Sequence, residues 1–545
     1  MVFRTIASSA AILVGLALVG AVAGPQWDPV LVEDHLVPAA SDTAIHGADP
    51  TALEDGTIGA VGDFGVRETD VTIQLDGIEV GGRLRQPVDA SGEILDDRPG
   101  VAYVHGAGTG GSSYAFRESA TQLASAGVVT LVPDKRLDNY TLRHRDYVAM
   151  AADYQHSVDF LRETDGVDPA QVGLYGESEG TWIVPVMQVE DPGIAFTILV
   201  SAPVVPPRQQ AAFAVDNYLR NTGVPQQVFR AIPRAVGMQL PGGGFEYVDF
   251  DVRPWLERQT VPVLVVYGTA DPSMPIEQGA RQIIADTAVN GDSAPVTVRY
   301  YEGANHGIRV PTDEGAKLHP DFARDVATWV QGMPGTADSP PRIAGDAPRQ
   351  LILASAVPQP RWWGNGDIVV GGVLAGCALL VLGPLLMGAH LLVRRVAGGR
   401  SVMPGPRLAH GLRSALLGLG AGSVATTVAL VVYLVAVARL ALDYERNDLV
   451  VQGGWIGVRL LGVATAVAGA LVLQRAADAR AARRAVLAGP AADGAADRGE
   501  AVNRPAGAFG VARGWSAHLA LWCVVVGSLA LLTTVAYWGV YQLGI

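Results

Sequence analysis

The chain has 545 residues, of which 49% are hydrophobic and only 17% charged, too apolar a balance for a wholly soluble protein of this size. Its net charge of −13 argues against nucleic acid as a partner. The only two cysteines, Cys377 and Cys523, lie inside apolar runs, so neither a disulfide framework nor a Cys/His metal site is expected, and no cofactor is implied.

The first apolar run, residues 5–24, follows Arg4 and ends in Ala21-Val22-Ala23. It is long enough to cross a bilayer and its end suits signal cleavage, so residues 1–24 are either a cleaved signal peptide or a signal anchor. Residues 25–68, rich in Pro, Gly, Ala and Asp, read as an extended lead-in. Residues 71–75 and 78–84 then alternate around Asp76-Gly77, a hairpin signal. Strand-length apolar runs follow at 101–104, 128–132, 172–175, 196–200, 261–266 and 296–301. Helix-length amphipathic stretches at 114–126, 147–163 and 275–288 separate most of them. Strands alternating with helices predict an α/β domain over 69–332, a mostly parallel sheet with helices on both faces. Residues 204–259 break the rhythm and read as an inserted cap. Residues 321–331 form the final helix, and the Pro-, Ala- and Gly-rich 333–367 a linker.

Four more apolar runs, 368–393, 414–442, 455–473 and 516–543, are each long enough to span and predict a four-helix transmembrane region over 368–543. The loops near 394–413 and 475–514 are rich in arginine, and the loop near 443–454 carries Asp443, Glu445 and Asp448 against Arg446. Arginine-rich loops stay in the cytoplasm, so 25–367 and the C-terminus are expected outside. Gly372/Gly376 and Gly418/Gly422 have the small-residue spacing of close helix crossings. Arg459, near the outer end of its span, can snorkel. No series of charges within the spans suggests a transport path, so the bundle reads as an anchor.

The chemistry centres on Gly176-Glu177-Ser178-Glu179-Gly180. A Gly-x-Ser-x-Gly between a strand and a helix is the pattern of a nucleophile elbow, here with Pro185 weakening the helix. The strand at 296–301 runs into a loop carrying His306, the candidate base, with His319 as alternative. The strand at 261–266 leads to Asp271, which can orient the imidazole. The loop after 101–104, His105-Gly106-Ala107-Gly108-Thr109-Gly110-Gly111, lets backbone approach a substrate. It supplies one oxyanion donor, the amide of Ala107 or else of Gly106, and the amide of Glu179 supplies the other. His105 is expected to pack the loop. Of the flanking carboxylates, Glu177 is expected in a polar network under the turn and Glu179 at the pocket rim.

On these motifs, together with Asp134-Lys135-Arg136 after the next strand, residues 69–332 resemble the α/β-hydrolase superfamily, in the style of dienelactone-hydrolase-like and serine-aminopeptidase-like esterases. The resemblance implies a Ser178–Asp271–His306 triad acting without a cofactor or metal on an acyl substrate, small or lipid-like. Two readings follow: a membrane-tethered extracytoplasmic serine hydrolase or acyltransferase, or a catalytically inactive hydrolase fold that binds or senses.

Overall fold

The computed structural model describes residues 2–47, 58–108, 110–239, 242–289, 294–396, 405–443, 445–488 and 510–542. The chain divides into two compact units. One gathers Met1–Trp27, Tyr218–Gly243 and Pro358–Ile545, and the other Asp28–Asn217 and Gly244–Val357.

The second unit is built on a nine-stranded sheet in the order β1-β2-β4-β3-β5-β6-β7-β8-β11. The strands are β1 (Gly65–Leu75), β2 (Ile78–Val88), β3 (Arg98–Val104), β4 (Val129–Pro133), β5 (Val167–Glu177), β6 (Thr197–Val200), β7 (Val263–Gly268), β8 (Val296–Tyr301) and β11 (Ile343–Gly345), with a separate hairpin of β9 (Arg309–Thr312) and β10 (Gly315–Leu318). Only β2 runs against its neighbours. Every residue of β3, β4, β6, β7 and β8 is buried. Continuous apolar runs belong to strands covered on both faces, and the hairpin Asp76-Gly77 fixes the register of the first pair, Leu75 opposite Ile78. Helices α2 (Arg117–Ser125), α3 (Tyr147–Arg162), α4 (Gly180–Glu190), α5 (Pro207–Thr222), α8 (Ile276–Asp286) and α9 (Phe322–Gln331) connect the strands. Helices α2 and α9 pack together, as do α3 and α4. Trp329 of α9, fully buried, meets Phe196 edge-on in the main apolar core.

The order of the strands positions the site. The chain leaves β3 toward β4 on one side and returns as β5 on the other. Loops after β3 and β5 therefore diverge from neighbouring carboxyl ends, and the crevice between them is where open α/β sheets bind ligands.

Two expectations are corrected. Residues 333–357 are not a free tether: β11 adds the ninth strand, parallel to β8, and the segment carries the cis bonds Met333–Pro334 and Pro340–Pro341. The reason is a buried charge. Arg299 of β8 has no exposure and needs acceptors, which it finds at Thr43 O (2.8 Å) in the lead-in and Pro341 O (3.0 Å). Glu277 likewise takes the amides of Leu36 and Gln350. The second correction concerns the insertion at 204–259, which is not one cap. Its residues Tyr218–Gly243, with a 3₁₀ turn at Gln226–Arg230 and helix α6 (Ala231–Ala235), cluster with the first unit, while 244–259, with α7 (Arg253–Leu256), stays with the sheet.

Among its described residues the first unit holds five helices long and apolar enough to cross a membrane: α1 (Val2–Ala23), α10 (Gly366–Val396), α11 (Leu412–Leu442), α12 (Gly454–Ala488), which a π-turn at Leu449–Gly453 precedes, and α13 (Trp515–Tyr537). Their length and composition are those of a multi-pass membrane bundle. A short pair, β12 (Arg407–Leu408) with β13 (Ala512–Arg513), brings the two arginine-rich loops together at one end. Helices α10 and α13 touch where Gly376 meets Gly527, and α11 and α12 where Gly422 meets Thr465. Gly372, by contrast, faces open space. Arg234 of α6 is fully buried and bonds the carbonyls of Gly20 and Tyr537, the orphan acceptors at the ends of α1 and α13.

Helix α1 packs on α12 and α13. A side chain at Gly20 would sit 2.4 Å from the Ala536 carbonyl. Gly20→Val is therefore expected to destabilise the bundle by about 1–3 kcal/mol, read as a lower melting temperature in detergent. A silent substitution would mean that α1 is not part of the mature bundle, as for a cleaved signal.

Candidate active site

Ser178 sits between the last residue of β5 and the first turn of α4, with φ of +56°. A non-glycine residue in the left-handed region is strained, and two close approaches impose the strain. A Cβ on Gly176 would lie 2.7 Å from Val184, and one on Gly180 would lie 2.4 Å from the Val104 carbonyl. Only glycines allow strand, turn and helix to fold this tightly. The helix continues through Pro185 to Glu190, so the proline does not end it.

His306 lies in the loop after β8 and Asp271 in the loop after β7. His306 Nδ1 is 2.8 Å from Asp271 Oδ2. The other carboxylate oxygen accepts from the Ser273 hydroxyl (2.6 Å) and amide (2.8 Å). Burial alone would raise the Asp271 carboxyl, but the His306 charge and these hydrogen bonds outweigh it and hold the group below the usual range. Burial would lower the imidazole. The Asp271 charge and bond, with a smaller contribution from Glu177, more than offset it and push His306 up to about 9. The Ser178 amide bonds Val200 O, and the next residue, Ser201, donates its hydroxyl to His306 O at 2.7 Å. The histidine loop is thus tied to the strand end that also holds the elbow. Among the described residues no hydrogen bond joins Ser178 Oγ to the ring. His319 packs at a tilt on Tyr301 and lies 3.9 Å from Asp321, while the Asp271 carboxylate is paired with His306.

The loop after β3 abuts the elbow. A Cβ on Gly106 would lie 3.3 Å from Ser178 Cβ and 3.2 Å from Glu177 O. Thr109 of this loop lies outside the described residues. His105 is buried with Nε2 on Pro133 O (2.6 Å), and burial first of all lowers its pKa to about 4. It is a neutral packing residue.

The two flanking glutamates exchange the places expected of them. Glu179 is 1% exposed and lies at the centre of a buried polar cluster. Its Oε2 takes Lys135 Nζ (3.1 Å) and Tyr140 OH (2.9 Å), and its Oε1 takes Arg145 Nη1 (2.5 Å) and Tyr147 OH (3.3 Å). Glu177 is half-buried on the histidine side, and burial raises its carboxyl above the usual range. The left-handed turn at Ser178 is the reason: it breaks the alternation of β5, so side chains either side of the serine leave in directions that strand periodicity does not give.

The same cluster reaches the β3 loop. Lys135 Nζ also donates to Gly106 O. The Tyr140 hydroxyl takes the amide of Gly108 at 3.0 Å while donating to Glu179. Arg145 lies over the rings of Tyr140 and Tyr247 at 4.8 and 4.5 Å. Ser273, Tyr140, Arg145 and Tyr147 were not legible as site residues, since they sit in loops or at a helix start without a motif. Lys135 stood only within the Asp-Lys-Arg run.

The strand order, the one reversed strand and the glycine-bounded serine at the end of β5 decide the architecture. The domain has the α/β-hydrolase fold, joined to a set of long apolar helices. The sequence profile described as "BAAT / Acyl-CoA thioester hydrolase C terminal" matches residues 153–313, a stretch containing Ser178, Asp271 and His306. No curated protein matches the chain. Solved structures similar to part of it include an esterase from Pyrobaculum calidifontis (18% identity over 49% of this chain and 86% of that one, TM-score 0.36). Est1E from Butyrivibrio proteoclasticus matches at 18% identity over 48% of this chain and 96% of its own (TM-score 0.32). A candidate dipeptidyl aminopeptidase IV from Bacteroides ovatus matches at 18% identity over 44% of this chain (TM-score 0.32), and the match spans only 33% of that longer protein.

Glu179 answers one buried and one partly buried cation. Glu179→Gln leaves Lys135 and Arg145 without their counter-charge and is expected to cost about 3–5 kcal/mol of stability. A thermal melt of the full-length protein in detergent reads it. An unchanged melting temperature would show that water already screens the cluster.

Proposed function

We propose that the domain is a serine hydrolase that cleaves an ester, thioester or amide through Ser178, His306 and Asp271, held at the outer face of the membrane by its helix bundle. One observation carries the reading: a fully buried carboxylate on His306 Nδ1 at 2.8 Å, on a loop tied to the strand end beside a strained serine. In this arrangement Asp271 keeps the Nδ1 tautomer, so that Nε2 is free to take the Ser178 proton as Oγ attacks the acyl carbon. The imidazolium then gives that proton to the departing alcohol, thiol or amine. Water repeats the sequence from the other side and releases the acid. Apo geometries of this kind are often open at the serine–histidine step and tighten with substrate bound.

The oxyanion falls to the amides of Ala107 and Glu179. The buried cluster supports that assignment through a planar peptide: the carbonyl of Gly106 and the amide of Ala107 point opposite ways, so Lys135, by holding the first, aims the second. Glu179 is fixed by its side chain while its backbone serves the elbow. The family described by its thioester hydrolases favours including thioesters among the acyl groups. An outer location rests on the arginine-rich loops at the opposite end of the spans.

The test is hydrolysis of a panel of p-nitrophenyl esters and acyl thioesters by the full-length protein in detergent. Ser178→Ala is expected to fall to background and Asp271→Asn by roughly 10³–10⁴ in kcat. Because the base must be neutral and its pKa is raised to about 9, kcat/KM is expected to rise with pH and level off above that value. Glu177→Gln removes one of the charges that raise it and is expected to move the limb down by roughly half a unit. Hydrolysis surviving in Ser178→Ala, or a pH limb near the ordinary histidine value, would contradict the reading.

A further inference from the structure

Within the helix bundle, α1 turns Ala10, Leu13, Val14, Ala17, Leu18 and Ala21 toward a groove of about 530 Å³ that α12 and the residues after α13 complete. The spacing of three and four places all six on one stripe, and its alanines leave the space open. From Ala10 to Ala21 the helix rises roughly 16 Å, about half of a ~30 Å hydrocarbon layer. The groove therefore has the depth of a single leaflet.

Its lining turns polar at one end only, at Arg230, Arg459 and Gln542. Arg459 bonds the Gln542 carbonyl at 3.1 Å. Gln542 is 4% exposed, and neither its amide nitrogen nor its amide oxygen has a partner among the described residues. A buried amide left this way is a cost that a bound polar group would remove. Nearby Arg234 is already committed to the carbonyls of Gly20 and Tyr537, which leaves Arg230 and Arg459 as the charges facing the groove. They lie at the end away from the arginine-rich loops, where the charge bias of membrane proteins does not call for arginine. Ionisable groups kept at such places mark a partner.

We propose that the groove holds one acyl chain of an anionic phospholipid whose phosphate rests against Arg230, Arg459 and the Gln542 amide. Guanidinium groups match phosphate oxygens in paired hydrogen bonds, and the Gln542 nitrogen donates a further one. A zwitterionic lipid would bring its own cation against the arginines. The site makes no use of Ser178, so it stands or falls apart from the hydrolase reading.

The test titrates the full-length protein in detergent with dioleoylphosphatidylglycerol or dioleoylphosphatidylcholine and counts bound lipid by native mass spectrometry. One phosphatidylglycerol per chain is expected, with phosphatidylcholine held roughly thirtyfold more weakly. The pair Arg230→Gln and Arg459→Gln is expected to reduce phosphatidylglycerol to that level, and Ser178→Ala to leave it unchanged. Ala17→Trp keeps the arginines but fills the groove, and is expected to remove the lipid as well. It also carries the test if the double variant melts early. Inorganic phosphate should not compete. Equal retention of the two lipids, retention unchanged in a folded groove or arginine variant, or displacement by inorganic phosphate would overturn the proposal.

Discussion

Two cations lie beside the elbow, Lys135 buried and Arg145 partly so, and the carboxylate of Glu179 meets both. Charges taken out of water are tolerated only when paired and hydrogen-bonded, so neither Lys135 nor Arg145 can be placed without Glu179. Glu179 in turn is the residue after the strained serine. Its backbone belongs to the turn and its side chain to the cluster, and the cluster extends through Lys135 and Tyr140 to the backbone of the β3 loop. The elbow, the loop after β3 and the start of α3 are joined at one carboxylate. The strain at Ser178 persists because these contacts and the two glycine approaches leave the chain no other course.

A second buried carboxylate organises the other half of the site. Asp271 is surrounded by donors from Ser273 and His306, and Ser201 fixes the histidine loop from behind. The division follows the sheet: loops after β3 and β5 bring Gly106 against Ser178, and loops after β7 and β8 bring Asp271 to His306. Glu177 and Glu179, two residues apart, are sent to opposite halves by the turn between them.

Much of this was legible in the sequence, for identifiable reasons. Continuous apolar strands give the sheet, because burial on both faces leaves no other composition. Ser178, Asp271 and His306 each follow such a strand, and loops at strand ends are where chemistry can be placed. The fates of Glu177 and Glu179 were not legible, since a left-handed residue resets side-chain direction. Nor was the division of the 204–259 insertion. Arg234 belongs with the bundle because its acceptors are Gly20 and Tyr537, residues far from it along the chain. The third such case, β11, is three residues long and owes its place to the buried Arg299 rather than to its own pattern.

The central claim is that Ser178 is a nucleophile activated by His306. Reaction of the full-length protein with a fluorophosphonate, followed by mass spectrometry of the intact chain and its peptides, tests it most directly. The account predicts a single adduct, on the peptide carrying Ser178, forming faster as pH rises toward about 9 and abolished in His306→Ala. No adduct, or an adduct on another residue with Ser178 unmodified, would contradict it.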